Sequence, residues 1–252
     1  MNRHGTRQDH WSAMGTPSFG HAWLKPAWLI ALSFALLAHA FLDRPVALWM
    51  NAQIGAAWLP LVHAVTDIGR AEIYLALAVL VLLWSALTRH AGRAVALADW
   101  LASYAWLMLI SLATSGLVVN LVKPLLGRLR PRYLLEQGRY GLQPFNPDMG
   151  MNSFPSGHSQ TIWAVCTTLV LMLLELRRHA IDRTQATLTV IVCNLLIGLL
   201  IGLASAVALS RVLLNAHFLS DVVCGSLVGI SAVLWLHAPL MRRLRDGPRT
   251  EP

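Results

Sequence analysis

Apolar stretches recur along the chain at a length that matches a lipid bilayer. A helix needs about 20 mostly apolar residues to cross the hydrocarbon core. Runs of this kind occupy residues 23–42, 71–88, 100–122, 159–174, 184–209 and 218–241, with polar or charged breaks between them. Only the last holds a carboxylate well inside it, Asp221. The pattern predicts an all-α, polytopic membrane helix bundle of six transmembrane helices. A further stretch, 45–66, has no Asp, Glu, Lys or Arg but carries Pro45, Asn51, Gln53, Gly55, Pro60 and His63. Its Trp49 and Trp58 suit the headgroup layer. This stretch is expected to lie along the interface as a seventh, non-spanning segment.

Composition agrees with that pattern. Of 252 residues, 56% are hydrophobic and 13% charged, and mean hydropathy is +0.56. Soluble domains usually run near 45–50% apolar and about 25% charged. The balance excludes a disordered chain and a water-soluble globule. Three cysteines, Cys166, Cys193 and Cys224, each sit in an apolar run, as small hydrophobes do, and make neither a disulfide framework nor a zinc cluster.

The net charge is +8, and its distribution sets an orientation. With six spans, twelve of the 20 Lys and Arg fall on one side. They are Arg3, Arg7 and Lys25; Arg89 and Arg93; Arg177, Arg178 and Arg183; and Arg242, Arg243, Arg245 and Arg249. The positive-inside rule makes that side cytoplasmic and puts both termini there. A seventh span at 45–66 would move the last three groups outside. The expected organisation is a cytoplasmic tail over 1–22, a membrane-embedded domain over 23–241 and a basic cytoplasmic tail over 242–252, in an inner membrane. The start also resembles a signal peptide, with Ala38-His39-Ala40 after an apolar stretch. Its long polar lead and the lack of a twin-Arg argue against cleavage.

Two connections on the outer side carry the ionisable groups. Such groups at membrane depth are functional candidates. The first connection opens with Lys123, Pro124, Arg128, Arg130, Pro131 and Arg132. The two prolines discourage helix continuation. Four cations within ten residues call for an anion, either a lipid headgroup or a substrate. The same connection ends Asn152-Ser153-Phe154-Pro155-Ser156-Gly157-His158, just before an apolar run. Ser153 or Ser156 can cap that helix, Pro155 suits its first turn, and its free amides suit an anion. Gly157 permits close approach of a ligand. The second connection contains Ser210-Arg211, Asn215, His217 and Asp221. His217 and Asp221 are four residues apart, so on a helix they share a face. A carboxylate there would hold one imidazole nitrogen and free the other as a nucleophile.

Three blocks emerge: Lys-x6-Arg-Pro, Pro-Ser-Gly-His and Ser-Arg-x5-His-x3-Asp. In order and spacing they resemble the type 2 phosphatidic acid phosphatase family, which shares its site with bacterial acid phosphatases and vanadium haloperoxidases. The resemblance covers residues 100–241. It implies that His217 is the nucleophile and forms a phosphohistidine. Asp221 would orient it, and His158 would protonate the leaving alcohol and then activate water. Lys123, Arg130 and Arg211, with Ser156 and the amide of Gly157, would hold the phosphoryl oxygens. No metal or other cofactor is implied. Arg128, Arg132 and Arg139 lie outside the motif positions. They would attract an anionic headgroup or a second phosphate, or stand as solvated loop charges.

The expected function is a metal-independent phosphatase acting on a membrane lipid, with its site facing the periplasm. Candidate substrates are phosphatidic acid, phosphatidylglycerol phosphate, undecaprenyl diphosphate and the phosphates of lipid A. Its partners would be that lipid and the surrounding bilayer lipids, and no nucleic acid. A lipid phosphotransferase with the same site is the nearest alternative. A serine hydrolase built on Ser156, and a transporter, are more distant ones.

Overall fold

The structure is a computed structural model and describes residues 21–92, 96–148, 150–181 and 187–246. Arg3, Arg7, Arg93, Arg183 and Arg249, and most of both tails, lie outside the described residues. Nine α-helices follow in order among them: α1 Leu24–Leu37, α2 Asp43–Gln53, α3 Leu59–Asp67, α4 Ala71–His90, α5 Ala96–Leu126, α6 Pro131–Gln137, α7 Gly157–Ile181, α8 Thr187–Leu213 and α9 Leu219–Asp246. They make six helical stretches long and apolar enough to span: Leu24–Gln53, Leu59–His90, Ala96–Leu126, Gly157–Ile181, Thr187–Leu213 and Leu219–Leu244.

The 45–66 stretch is not a separate element. Its first half prolongs the first span as α2, and its second half leads into the next span as α3. A proline removes an N–H and its ring presses on the carbonyl four residues back. Pro45 is accommodated because a π-helical turn, Ala38–Leu42, sits immediately before α2 and widens the backbone there. Pro60 falls in the first turn of α3, where an N–H is dispensable. Pro124 likewise does not end α5 at once; it lies in the last turn. Pro155, expected in a first helical turn, precedes α7, whose first residue is Gly157.

The centre of the bundle is α9, which packs on α7, α5, α1 and α8, while α4 covers α5 and α3 lies on α8. Polar pairs pin these contacts where water is absent. Trp28 Nε1 donates to Ser231 Oγ at 3.0 Å, joining α1 to α9. Gln160 Nε2 donates to Ser115 Oγ at 2.5 Å, joining α7 to α5. The outward faces are apolar: Leu36, Leu188, Leu195 and Leu199 are all exposed, as lipid-facing side chains of a membrane protein are.

Two glycines let α9 lie close against the start of α7. A Cβ on Gly225 would sit 2.4 Å from the Ser156 carbonyl oxygen, and one on Gly229 2.2 Å from that of Gln160. Both obstacles are backbone. Gly225→Ala should therefore push the start of α7 off α9 and cost about 1–3 kcal/mol. Thermal unfolding in detergent should show the loss, and activity should fall with it.

Candidate active site

Four long helices bring their polar ends to one end of the bundle. Lys123 stands near the end of α5, His158 at the start of α7, Arg211 near the end of α8, and His217 and Asp221 at the entry to α9. The α5–α7 connection folds back across this end. Gly127 makes the turn with φ +57, and a Cβ there would lie 1.6 Å from the Gln143 carbonyl oxygen. Only glycine fits both the backbone conformation and the space. Two isolated bridges, Arg128 with Leu142 and Leu129 with Asn152, then stitch the connection together. The Ser153 amide donates to the Arg128 carbonyl at 2.7 Å.

His217 is buried, and its Nδ1 lies 3.3 Å from Ser153 Oγ and 3.6 Å from Asp221 Oδ2. Ser153 Oγ donates in turn to Asp221 Oδ2. The Phe218 amide donates to the same oxygen at 2.8 Å. The nearest partner of Nδ1 is thus the serine hydroxyl, with the carboxylate just behind it. This arrangement favours a proton on Nδ1 and leaves Nε2 with its lone pair. Burial, joined by the Arg130 and Arg211 charges, lowers the His217 pKa to about 4 against the upward pull of Asp221. The imidazole is therefore neutral at pH 7.

The other carboxylate oxygen, Asp221 Oδ1, accepts from Arg128 Nη1 at 2.5 Å. Arg128 is itself buried, and its Nη2 donates to Asp43 Oδ2 at 2.7 Å. Burial works against its charge, but Asp221 and Asp43 outweigh it and raise its pKa. Arg128 is thus neither a headgroup attractor nor a solvated loop charge. Arg132 and Arg139 are exposed, and Arg132 Nη2 donates to the Gly150 carbonyl at 3.1 Å.

Lys123 is buried and within electrostatic range of Arg130, Arg211 and Asp221. Arg211 Nη1 donates to Thr66 Oγ1 at 2.9 Å, and Arg130 Nη1 to the Ala216 carbonyl at 3.5 Å. The Nε atoms of both arginines are buried without a hydrogen-bond partner. Arg128 Nε is in the same state. His158 interacts electrostatically with Arg211 and Lys123, and its ring edge lies beside Gly69. Ser156 is fully buried and caps α7: its Oγ lies 3.5 Å from the Ser159 amide and 3.0 Å from Ser159 Oγ. Gly157 opens α7, which turns that helix's N-terminus toward the same end of the bundle. It is Ser153, not Ser156, that touches His217, so the serine-hydrolase arrangement is not formed.

Among the described residues no group of three or more His, Cys, Asp or Glu is placed to hold a metal ion. Sequence reasoning did not single out Asp43, Ser220 or Thr66. Asp43 falls between two apolar stretches, and no motif spacing marks any of the three.

A polytopic α-helical membrane protein with a His–Asp pair among three cations at one helix-end cluster is one class of protein. Residues 104–245 match the PAP2 superfamily, and the chain belongs to that family. It is similar to the lipid A 1-phosphatases of Rhizobium etli and Rhizobium johnstonii, 27% identical to each over 151 residues, or 58% of this chain. That stretch covers 55% and 52% of the two relatives, so the chain spans about half their length. A lipid A 1-phosphatase of Porphyromonas gingivalis is 34% identical over 111 residues, 44% of this chain and 21% of that protein. The fold resembles the crystal structure of a transmembrane PAP2-type phosphatidylglycerolphosphate phosphatase from Bacillus subtilis. The TM-score is 0.58 at 19% identity, with 90% of this chain and 98% of that one covered.

Proposed function

We propose that this protein is a metal-independent lipid phosphate phosphatase that works through a phosphohistidine on His217. The observation that carries the reading is the convergence of the Arg130 and Arg211 charges on a buried, neutral imidazole whose Nδ1 is already held. His217 Nε2 attacks phosphorus, and the bond from phosphorus to the lipid oxygen breaks. His158 gives its proton to the departing oxygen. In the second step His158 takes a proton from water, the water oxygen bonds to phosphorus, and the P–N bond breaks to release phosphate and restore His217. Lys123, Arg130 and Arg211, with the Gly157 amide, stabilise the equatorial oxygens where negative charge builds. Asp221 supports the positive charge on His217. Ser156 supports the site by fixing the start of α7.

Lipid A is the first substrate to test, since the similar Rhizobium proteins are lipid A 1-phosphatases. Phosphatidylglycerol phosphate, phosphatidic acid and undecaprenyl diphosphate follow. The active end faces the periplasm of an inner membrane, with both termini cytoplasmic. Supporting this orientation, Arg89, Arg177, Arg178, Arg242 and Arg243 lie near the far ends of α4, α7 and α9, away from the site.

Purified protein given one lipid at a time should release inorganic phosphate. A chelator should leave the rate unchanged, and vanadate, which adopts the five-coordinate geometry of the transferring phosphorus, should inhibit. Loss of activity with the chelator would contradict the metal-free mechanism. Phosphate release that requires a second, acceptor lipid would indicate a phosphotransferase.

A further inference from the structure

A buried charge network reaches from His217 to the first span, well outside the segment 104–245 that matches the family. Asp43, the first residue of α2, is 1% exposed. Its Oδ2 accepts from Arg128 Nη2 at 2.7 Å and from Ser220 Oγ at 2.5 Å, and its Oδ1 accepts from the Ser220 amide at 3.1 Å. Arg128 Nη1 donates to Ser220 Oγ at 2.6 Å and to Asp221 Oδ1. Arg128 also lies 4.6 Å above the Phe218 ring and 3.1 Å from His39 Nδ1. Tyr140, stacked on His39, donates to the His39 carbonyl at 2.6 Å. One guanidinium thus sits between two carboxylates, one from α2 and one from α9.

We infer that Asp43 is a positioning residue for the reaction: it shares Arg128 with Asp221 and so leaves Asp221 with negative charge to support the imidazole of His217. The inference rests on the proposed role of His217 as nucleophile. Its physics is a charge count. Arg128 with Asp221 alone would form a neutral pair, with little attraction for an imidazole that becomes positive as it attacks phosphorus. Asp43 brings the group to a net charge of −1. In a buried setting that remaining charge is only weakly screened. Asp43 also orients the guanidinium, since Ser220 bridges both charged partners.

The groups that face His217 are Asp221 and the Ser153 hydroxyl on its Nδ1 side, with Arg130 and Arg211 beyond. Those around Asp43 are Arg128 and Ser220, with His39 and Tyr140 reached through Arg128. Asp43→Asn sets the network charge to zero, and the double variant Asp43→Asn/Arg128→Gln returns it to −1. The assay is hydrolysis of a ³²P-labelled short-chain phosphatidic acid in mixed micelles, with the pH profile of kcat/KM and trapping of the alkali-stable phosphoenzyme. One substrate throughout keeps its own ionisation common to every variant.

Asp43→Asn should lower kcat about tenfold or more, leave KM within about twofold, and move the acidic limb of kcat/KM to lower pH. The double variant should recover part of kcat and place the limb back near the wild-type position. A wild-type limb in Asp43→Asn overturns the inference, because a merely structural role lowers the amount of active protein without moving it. Should Asp43→Asn fail to fold, the double variant decides alone, since removing both members of a buried ion pair is tolerated better than removing one. An influence of Asp43 on His217 predicts its wild-type limb; without that influence, loss of the Arg128 charge raises the limb. Wild-type protein that turns over without phosphohistidine would refute the functional reading itself. Wild-type phosphohistidine with an unmoved limb in Asp43→Asn, or a raised limb in the double variant, would refute the role of Asp43 alone.

Discussion

Replacing His217 by Ala should reduce phosphate release at least about a thousandfold and abolish the trapped phosphoenzyme. Loss of a covalent nucleophile removes the pathway rather than slowing it, and the residual rate comes from binding and the surrounding charges. His217 is buried with Nδ1 against Ser153 and Asp221. Ser156→Ala makes the useful contrast. The Ser156 hydroxyl caps α7 and does not meet His217, so its loss should weaken the site and leave the phosphoenzyme detectable. Phosphoenzyme in His217→Ala, or total loss in Ser156→Ala with the fold intact, would reverse the assignment. Quantitative trapping from labelled lipid, followed by alkali and acid stability, reads both.

Arg128→Ala should be the most damaging substitution for stability, at about 3–5 kcal/mol, because it strands two buried carboxylates. The Arg128 side chain is 4% exposed, and those of Asp43 and Asp221 are 0%. Arg128→Lys keeps the charge but cannot span both carboxylates with a planar fork, so an intermediate loss is expected. Arg132→Ala and Arg139→Ala, at exposed positions, should change stability by less than about 0.5 kcal/mol. Thermal unfolding in one detergent ranks the four. An Arg128→Ala protein as stable as wild type would show that the two carboxylates are relieved in some other way.

The contrast among these arginines marks the limit of motif reading. Arg128, Arg130 and Arg132 are spaced by two in a short polar stretch, and nothing in composition separates them. Their fates differ because Gly127 turns the chain and the Arg128–Leu142 and Leu129–Asn152 bridges hold the strand-like segment that follows. Arg128 then points into the bundle, Arg130 stands over the Ala216 carbonyl, and Arg132 faces out to the Gly150 carbonyl. Asp43 was hidden for a related reason. A lone Asp-Arg pair between two apolar runs reads as a break, whereas the helix passes through it after a π turn. Ser153 was readable as a cap candidate, but its contact with His217 depends on the whole α5–α7 connection folding back.

The six spans were legible along the chain, since hydrophobic length is a local property and the bilayer imposes it on every segment alike. The candidate residues Lys123, Arg130, His158, Arg211, His217 and Asp221 were also legible, because they occur at spacings tied to helix ends. The partners of Asp221, the inward course of Arg128 and the contacts of Asp43 come from the assembled bundle. Those depend on where helices far apart in the chain come into register. A buried charge is stable only beside its counter-charge, and that distance is not encoded in any local pattern.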